Sequence, residues 1–173
     1  MQSNHEIESI YTFDPDHGEV RSKLTGWRIL ILSSDSWVSL VDGLYSKFAD
    51  KAPLIILQMG FSYGSNLAKR LGVLDPETKR TFQVDATLLV ETMTKAGWGL
   101  LSFTADQDFG TQASIAVKNC VFCKEKDSYP CDFLRGVILG LSTKMYDQQY
   151  ISSTSCTVDS DGKHICHINM TST

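Results

Sequence analysis

The spacing of apolar and polar residues divides the chain into blocks of different period. Residues 22–33 contain W-R-I-L-I-L, a short β-branched run bounded by Gly26 and Ser33–Ser34, which predicts a strand. Behind Ser34-Asp35-Ser36, a capping sequence, Trp37, Leu40, Val41, Leu44 and Phe48 recur at helical spacing. A second helix is predicted from Pro53, carrying Leu54, Ile55, Ile56, Leu57, Met59, Phe61, Tyr63 and Leu67. It is apolar nearly all round, the pattern of a helix at the centre of its domain. Gly60 and Gly64 leave a flat strip on it, and helix–helix packing is the expected use of that strip ahead of a flat ligand. Pro76-Glu77 opens a third helix with Phe82, Ala86, Leu89, Val90 and Met93 on one face and Gly97 as its stop.

Strand-like segments then return. Residues 99–104 and 110–119 flank a turn at Asp106–Gly110 and predict a hairpin. Pro130-Cys131 leads into a fourth helix striped by Leu134, Val137, Ile138, Leu141 and Met145. A last hairpin pairs residues 150–158 with 163–170 across Asp159-Ser160-Asp161-Gly162. The first 20 residues read as a polar arm with a short extended piece, Ile10 to Phe13, before a turn at Asp14–Gly18. The order β-ααα-ββ-α-ββ predicts an α+β fold, an antiparallel sheet with helices packed on one side. Residues 1–20 form the arm and 21–173 a single ligand-binding domain, with no repeat or linker to mark a second one.

A formal net charge of −4 has the wrong sign for an electrostatic grip on nucleic acid, so no such partner is expected. Apolar runs such as Leu54–Leu57 are too short for a membrane span. The polar, acidic N-terminus does not read as a secretory signal. All five cysteines, Cys120, Cys123, Cys131, Cys156 and Cys166, fall in the C-terminal third. An odd count without an export signal points to a reducing compartment, the cytoplasm, where clustered thiols bind metal more readily than they form disulfides.

Cys120 and Cys123 form a C-x-x-C pair leaving a strand, and Cys131 stands at a helix start. His164 and Cys166, two apart in the final strand, point to one face. Zinc with sulfur and imidazole ligands is the usual partner for such a set; a group of buried, reduced thiols is the plainer alternative. A catalytic redox pair is disfavoured, because this C-x-x-C does not open a helix. The chain has no phosphate loop, nucleophile elbow or dinucleotide fingerprint, so no catalytic residue is assigned. Asp106/Asp108 and Asp159/Asp161 lie in turns, where aspartate is favoured for its backbone hydrogen bonds. Trp27, Trp37, Phe61, Tyr63, Phe82, Trp98 and Phe103 suit either a filled core or a pocket wall.

The C-terminal third, with Cys131, Phe133, Gly136 and Gly140, then Cys156, Gly162, Cys166 and Ile168, resembles the 4-vinyl reductase domain family. The G-W-R-I-L-I-L segment at Gly26 and the G-W-G at Trp98 extend the resemblance over nearly the whole chain. It implies a hydrocarbon-binding sensor or carrier domain with a hollow interior, similar in fold to a subunit of a vesicle-tethering complex. It also implies zinc ligands at Cys131, Cys156 and Cys166, with a glutamate at the position of Ser153. Serine holds zinc poorly, so the C-x-x-C pair is expected to supply the fourth ligand, Cys123 first, with Cys120 or His164 as alternatives. Phe61, then Tyr63 and Trp98, are the expected ligand contacts. The expected function is binding of an aromatic or hydrocarbon-like molecule in a zinc-stabilised homodimer. The rivals are a reductase acting on a tetrapyrrole vinyl group, less favoured for want of a reductant site, and a dimeric scaffold without ligand.

Overall fold

The computed structural model describes residues 11–17, 19–23, 26, 28–29, 33–70, 90–91, 93–94, 98–105, 112–122 and 131–173. The chain forms two units, Met1–Ser33 and Ser34–Thr173.

In the first unit, β1 (Tyr11–Asp14), β2 (Glu19–Ser22) and β3 (Arg28–Ile29) make a three-stranded antiparallel sheet in that order. The turn after β1 is the expected one: the His17 backbone N–H donates to Asp14 Oδ1 at 3.1 Å. β2, sequence E-V-R-S, was not anticipated. Its apolar content is a single valine, and its charges hide the strand while serving it, since Arg21 Nε donates to Glu19 Oε2 at 2.8 Å. Of the predicted W-R-I-L-I-L strand, Arg28–Ile29 is β3, and residues 27 and 30–32 lie outside the described residues.

The second unit opens with α1 (Ser34–Phe48), a single 3-10 turn (Ala49–Lys51) and α2 (Ala52–Arg70). The third predicted helix falls mostly outside the described residues; positions 90, 91, 93 and 94 are helical. There follow β4 (Leu100–Ala105), β5 (Gln112–Lys118), α3 (Asp132–Tyr146), β6 (Tyr150–Val158) and β7 (His164–Ser172). The two predicted hairpins are both present, and antiparallel pairing of β5 with β7 joins them into one sheet of order β4-β5-β7-β6. The fold is α+β, as the element order predicted, with two antiparallel sheets where one was expected.

Side-chain alternation along the central strands builds the core. Ile115 and Val117 of β5 stand opposite Ile168 and Cys166 of β7, and all four are buried. α3 covers this face with Leu134, Val137, Ile138 and Leu141, the stripe visible in the sequence. An acidic residue in the first turn of α3 and Lys144 in its last complement the helix dipole.

α2 departs from expectation. Its buried residues, Ala52, Ile56, Gly60, Gly64, Ser65 and Ala68, are mostly small, whereas Leu54, Met59, Phe61 and Tyr63 are exposed. The reason is its very close approach to α3. A Cβ placed on Gly60 or Gly64 would overlap the carbonyl oxygens of Phe133 or Val137, and one on Gly136 or Gly140 those of Leu57 or Phe61. Two backbones at that distance leave no room for side chains between them, so the large residues go to the flanks. Gly60 and Gly64 therefore serve helix–helix packing.

Candidate metal centre and aromatic cluster

β5 ends at Lys118, and a turn with Asn119 in the left-handed region (φ 55°) brings in Cys120. Cys131 is the N-cap of α3, its carbonyl accepting from the Arg135 N–H at 2.8 Å. Cys166 occupies the core face of β7. These three elements converge, and the Sγ atoms of Cys120, Cys131 and Cys166 all lie within 4.8 Å of one another. The sulfurs of Cys120 and Cys131 are 2.9 Å apart, and Cys156, directly across the ladder from Cys166, brings its sulfur to 3.4 Å from that residue.

This donor set fits a thiophilic metal ion. Zn–S bonds of about 2.3 Å put the corners of a tetrahedron about 3.8 Å apart, inside the range spanned by these sulfurs. Cys131 and Cys166 are completely buried, where a thiolate is tolerable only beside a cation. Of the residues named from sequence, Cys131 and Cys166 come together; Cys156 reaches Cys166 at 3.4 Å but is outside the group of three, and Cys123 lies outside the described residues. Cys120, an alternative there, is inside the cluster. His164 shares the Cys166 face of β7 but is not in the 4.8 Å group. Ser153, three residues before Cys156, faces the opposite side of the sheet, so β alternation alone keeps it from the sulfurs.

The cysteine segments also carry aromatic rings. Phe122, two after Cys120, and Phe133, two after Cys131, meet at 5.0 Å between centroids. Trp37 of α1 packs on both, at 5.3 Å from Phe122 and 4.7 Å from Phe133. Trp98 lies 5.0 Å from Phe122, edge to face, and Tyr63 lies 5.9 Å from Trp98. Backbone bonds fix Trp98, whose N–H donates to Met93 O at 3.1 Å and whose carbonyl accepts from the Val121 N–H at 3.3 Å. Tyr63 and Trp98 thus belong to a five-ring cluster. Phe61 is 38% exposed on the flank of the α2–α3 crossing. Phe122 and Phe133 were missed as candidates because they precede or follow cysteines in segments judged for metal chemistry.

Two polar features adjoin the rings. Trp37 Nε1 is buried without a hydrogen-bond partner among the described residues. Asp132, between Cys131 and Phe133, is 2% exposed; its Oδ1 meets Arg135 Nη2 at 2.8 Å, while Oδ2 has no partner among the described residues. Burial pushes its carboxyl above the usual carboxylate range, with the Arg135 charge opposing.

No protein-family model matches this chain, and no curated protein does. Solved structures do match. The phenol-responsive sensory domain of the transcription activator PoxR, with phenol, aligns over 98% of this chain and 90% of its own, with 11% identity and a TM-score of 0.71. A trafficking protein particle complex subunit 3 from Naegleria fowleri, covalently bound to palmitic acid, aligns over 81% of this chain and 92% of its own, at 15% identity and a TM-score of 0.57. A Cs H-NOX mutant covers 97% of this chain and 84% of its own at 12% identity, with a TM-score of 0.55. A vinyl-4-reductase family protein from Methanocaldococcus jannaschii aligns over 79% of this chain and 76% of its own at 11% identity and a TM-score of 0.47. The chain has the fold shared by the PoxR sensory domain and the trafficking-complex subunit, the fold that the sequence resemblance implied. No helix among the described residues is long and apolar enough to cross a membrane.

Proposed function

We propose that this protein binds an aromatic or similarly apolar small molecule, as a sensor or carrier, in a domain tied together by zinc. One observation carries the reading: the cysteine cluster and the aromatic cluster are built on the same two short segments, Cys120–Phe122 and Cys131–Phe133. A metal held by Cys120, Cys131, Cys156 and Cys166 would link the end of β5, the start of α3 and the last hairpin. Its role would be structural, since binding to a folded site adds to folding free energy. The rings would then stand on a fixed base, with the Trp37 N–H as a donor for a ligand oxygen, the mix of apolar wall and few polar groups usual in ligand sites. The PoxR domain is phenol-responsive and its structure holds phenol, which supports this ligand class for the shared fold.

A homodimer is part of the proposal. Leu40 and Phe48 of α1 and Leu54, Met59 and Phe61 of α2 are exposed in a single chain, and a second copy would cover such surface. A cytoplasmic location suits the reduced thiols.

Native mass spectrometry of protein purified from its own host, with metal analysis and lipid extraction, tests the reading. A bound apolar molecule together with zinc is the expected result. A redox cofactor would replace it with the reductase reading, and a constitutive complex with no small molecule with the scaffold reading.

A further inference from the structure

Cys156 and Cys166 are directly opposed in the antiparallel ladder of β6 and β7, with their sulfurs 3.4 Å apart. Opposed residues in such a ladder hold their Cα atoms about 4.5 or about 5.5 Å apart, according to whether the pair is hydrogen-bonded. Both spacings fall inside the roughly 4.4–6.8 Å that a disulfide bridges, so the bond can close without moving the strands. The two thiols differ in access: Cys156 is exposed and Cys166 is buried. Cys120 and Cys131 are closer together still, but one is half-buried and the other buried. Among the four described thiols, Cys156 is the most open to a solvent-borne oxidant.

We propose that Cys156 and Cys166 form a modification site for hydroperoxides, with Cys156 as the attacked thiol and Cys166 as the resolving one. The Cys156 thiolate attacks the O–O bond of hydrogen peroxide. A sulfur–oxygen bond forms, and the departing hydroxide takes a proton and leaves as water. The Cys166 thiolate then displaces hydroxide from the sulfenic sulfur, closing the disulfide, and its own former proton completes a second water. Two thiols are oxidised to one disulfide, and one peroxide is reduced to two waters. A thiol reductant reverses the change. The pair is defined by the hairpin alone and does not require that a metal bind; if one does, closing this disulfide withdraws two of its thiolates.

The test uses the full chain, reduced and then exposed to stoichiometric hydrogen peroxide. Remaining thiols are alkylated, and the protein is digested with trypsin without reduction. Lys163 separates the two cysteines, so their disulfide joins the peptide ending at Lys163 to the peptide beginning at His164. That crosslink should be the main product, lost on treatment with dithiothreitol. Cys166→Ala should instead leave Cys156 as a sulfenic acid trapped by dimedone. A link between the Cys120 and Cys131 peptides, a link between two chains on a non-reducing gel, or Cys156 driven to sulfinic acid with Cys166 still alkylated would each overturn the proposal. The wild-type peptide map decides the matter even where the variant does not fold.

Discussion

Gly64 of α2 lies so close to the backbone of Val137 in α3 that a Cβ on the glycine would overlap the valine's carbonyl oxygen. Gly60 repeats the relation one turn earlier on Phe133, and Gly136 and Gly140 return it from α3 onto Leu57 and Phe61. Ser65 closes the seam, its hydroxyl donating to the Gly140 carbonyl at 3.4 Å. The seam matters for the site because Phe133, at the middle of the aromatic cluster, is set by it.

Glycines in this seam should therefore resist even the smallest substitution. Gly64→Ala should destabilise by about 1–3 kcal/mol or more, since the clash is with backbone that cannot rotate away. Gly43 of α1 is the internal control: nothing lies within 4 Å of a Cβ there. Gly43→Ala should stabilise, by roughly 0.5–1 kcal/mol, through the helix propensity of alanine. Urea melts of the two variants should move in opposite directions; a shared sign would mean that the seam does not exist in solution.

Reduced, carefully purified protein should carry about one zinc per chain, bound through thiolates and so released as pH falls. Cys131→Ser and Cys166→Ser should each lower zinc content and the melting temperature. Cys120→Ser is the informative change, because the sulfur of Cys120 sits 2.9 Å from that of Cys131. It should weaken zinc binding as well. Full zinc retention in Cys120→Ser with loss in Cys123→Ser would transfer the fourth ligand to Cys123.

The aromatic cluster and the exposed face of α2 make separable predictions. Phe133 touches the rings of Trp37, Tyr63, Trp98 and Phe122. Phe133→Ala should abolish the tryptophan fluorescence change produced by titrating an aromatic ligand such as phenol. Phe61→Ala should leave that titration intact, because its ring is on the flank of the crossing, and should cost less than about 1 kcal/mol of stability as a surface change. Loss of the response in Phe61→Ala alone would restore Phe61 to the place that the sequence suggested for it.

That last contrast shows where sequence reading stops. Period and turn chemistry were enough for both hairpins of the second unit and for α1, α2 and α3, because each follows from neighbours within a few residues. The apolar stripe of α3 likewise named the core residues Leu134, Val137, Ile138 and Leu141 correctly. What periodicity lacks is the distance between elements. Gly60 and Gly64 could be seen as a flat strip, but that their partner was Gly136 and Gly140 was not visible, and with the partner unknown Phe61 seemed an inward residue. The cysteines were grouped by clustering along the chain, and the register of β7 against β5 and β6 decides which sulfurs meet. β2 escaped for a different reason: three of its four residues, Glu19, Arg21 and Ser22, are charged or polar, so hydrophobic patterning passes over it.

The turn that sets this register titrates. Asp159 Oδ1 accepts from the backbone N–H groups of Asp161 at 3.0 Å and Lys163 at 2.8 Å, while Oδ2 pairs with Lys118 of β5. The bond to Lys118, with the backbone N–H groups of Lys163 and Asp161, holds the carboxyl below the ordinary carboxylate value. In the unfolded chain it returns to about 3.9. A folded-state pKa below the unfolded one means that the unfolded chain binds the extra proton. The contribution to stability is thus complete above about pH 5 and disappears as pH falls through the lowered folded-state value. Asp159→Asn keeps the oxygen that accepts from both N–H groups but removes the charge and the pairing with Lys118, so the variant should be weaker near neutrality and should lose less on acidification. Other groups titrate in the same range, including Asp14, which its contacts with His17 also lower, and the cluster thiolates if they hold a metal. They are common to both proteins and cancel in the comparison. Urea midpoints at several pH values for wild type and variant therefore isolate Asp159. Parallel curves, with the gap between them unchanged from neutral to acid, would show that the carboxylate does not hold the turn.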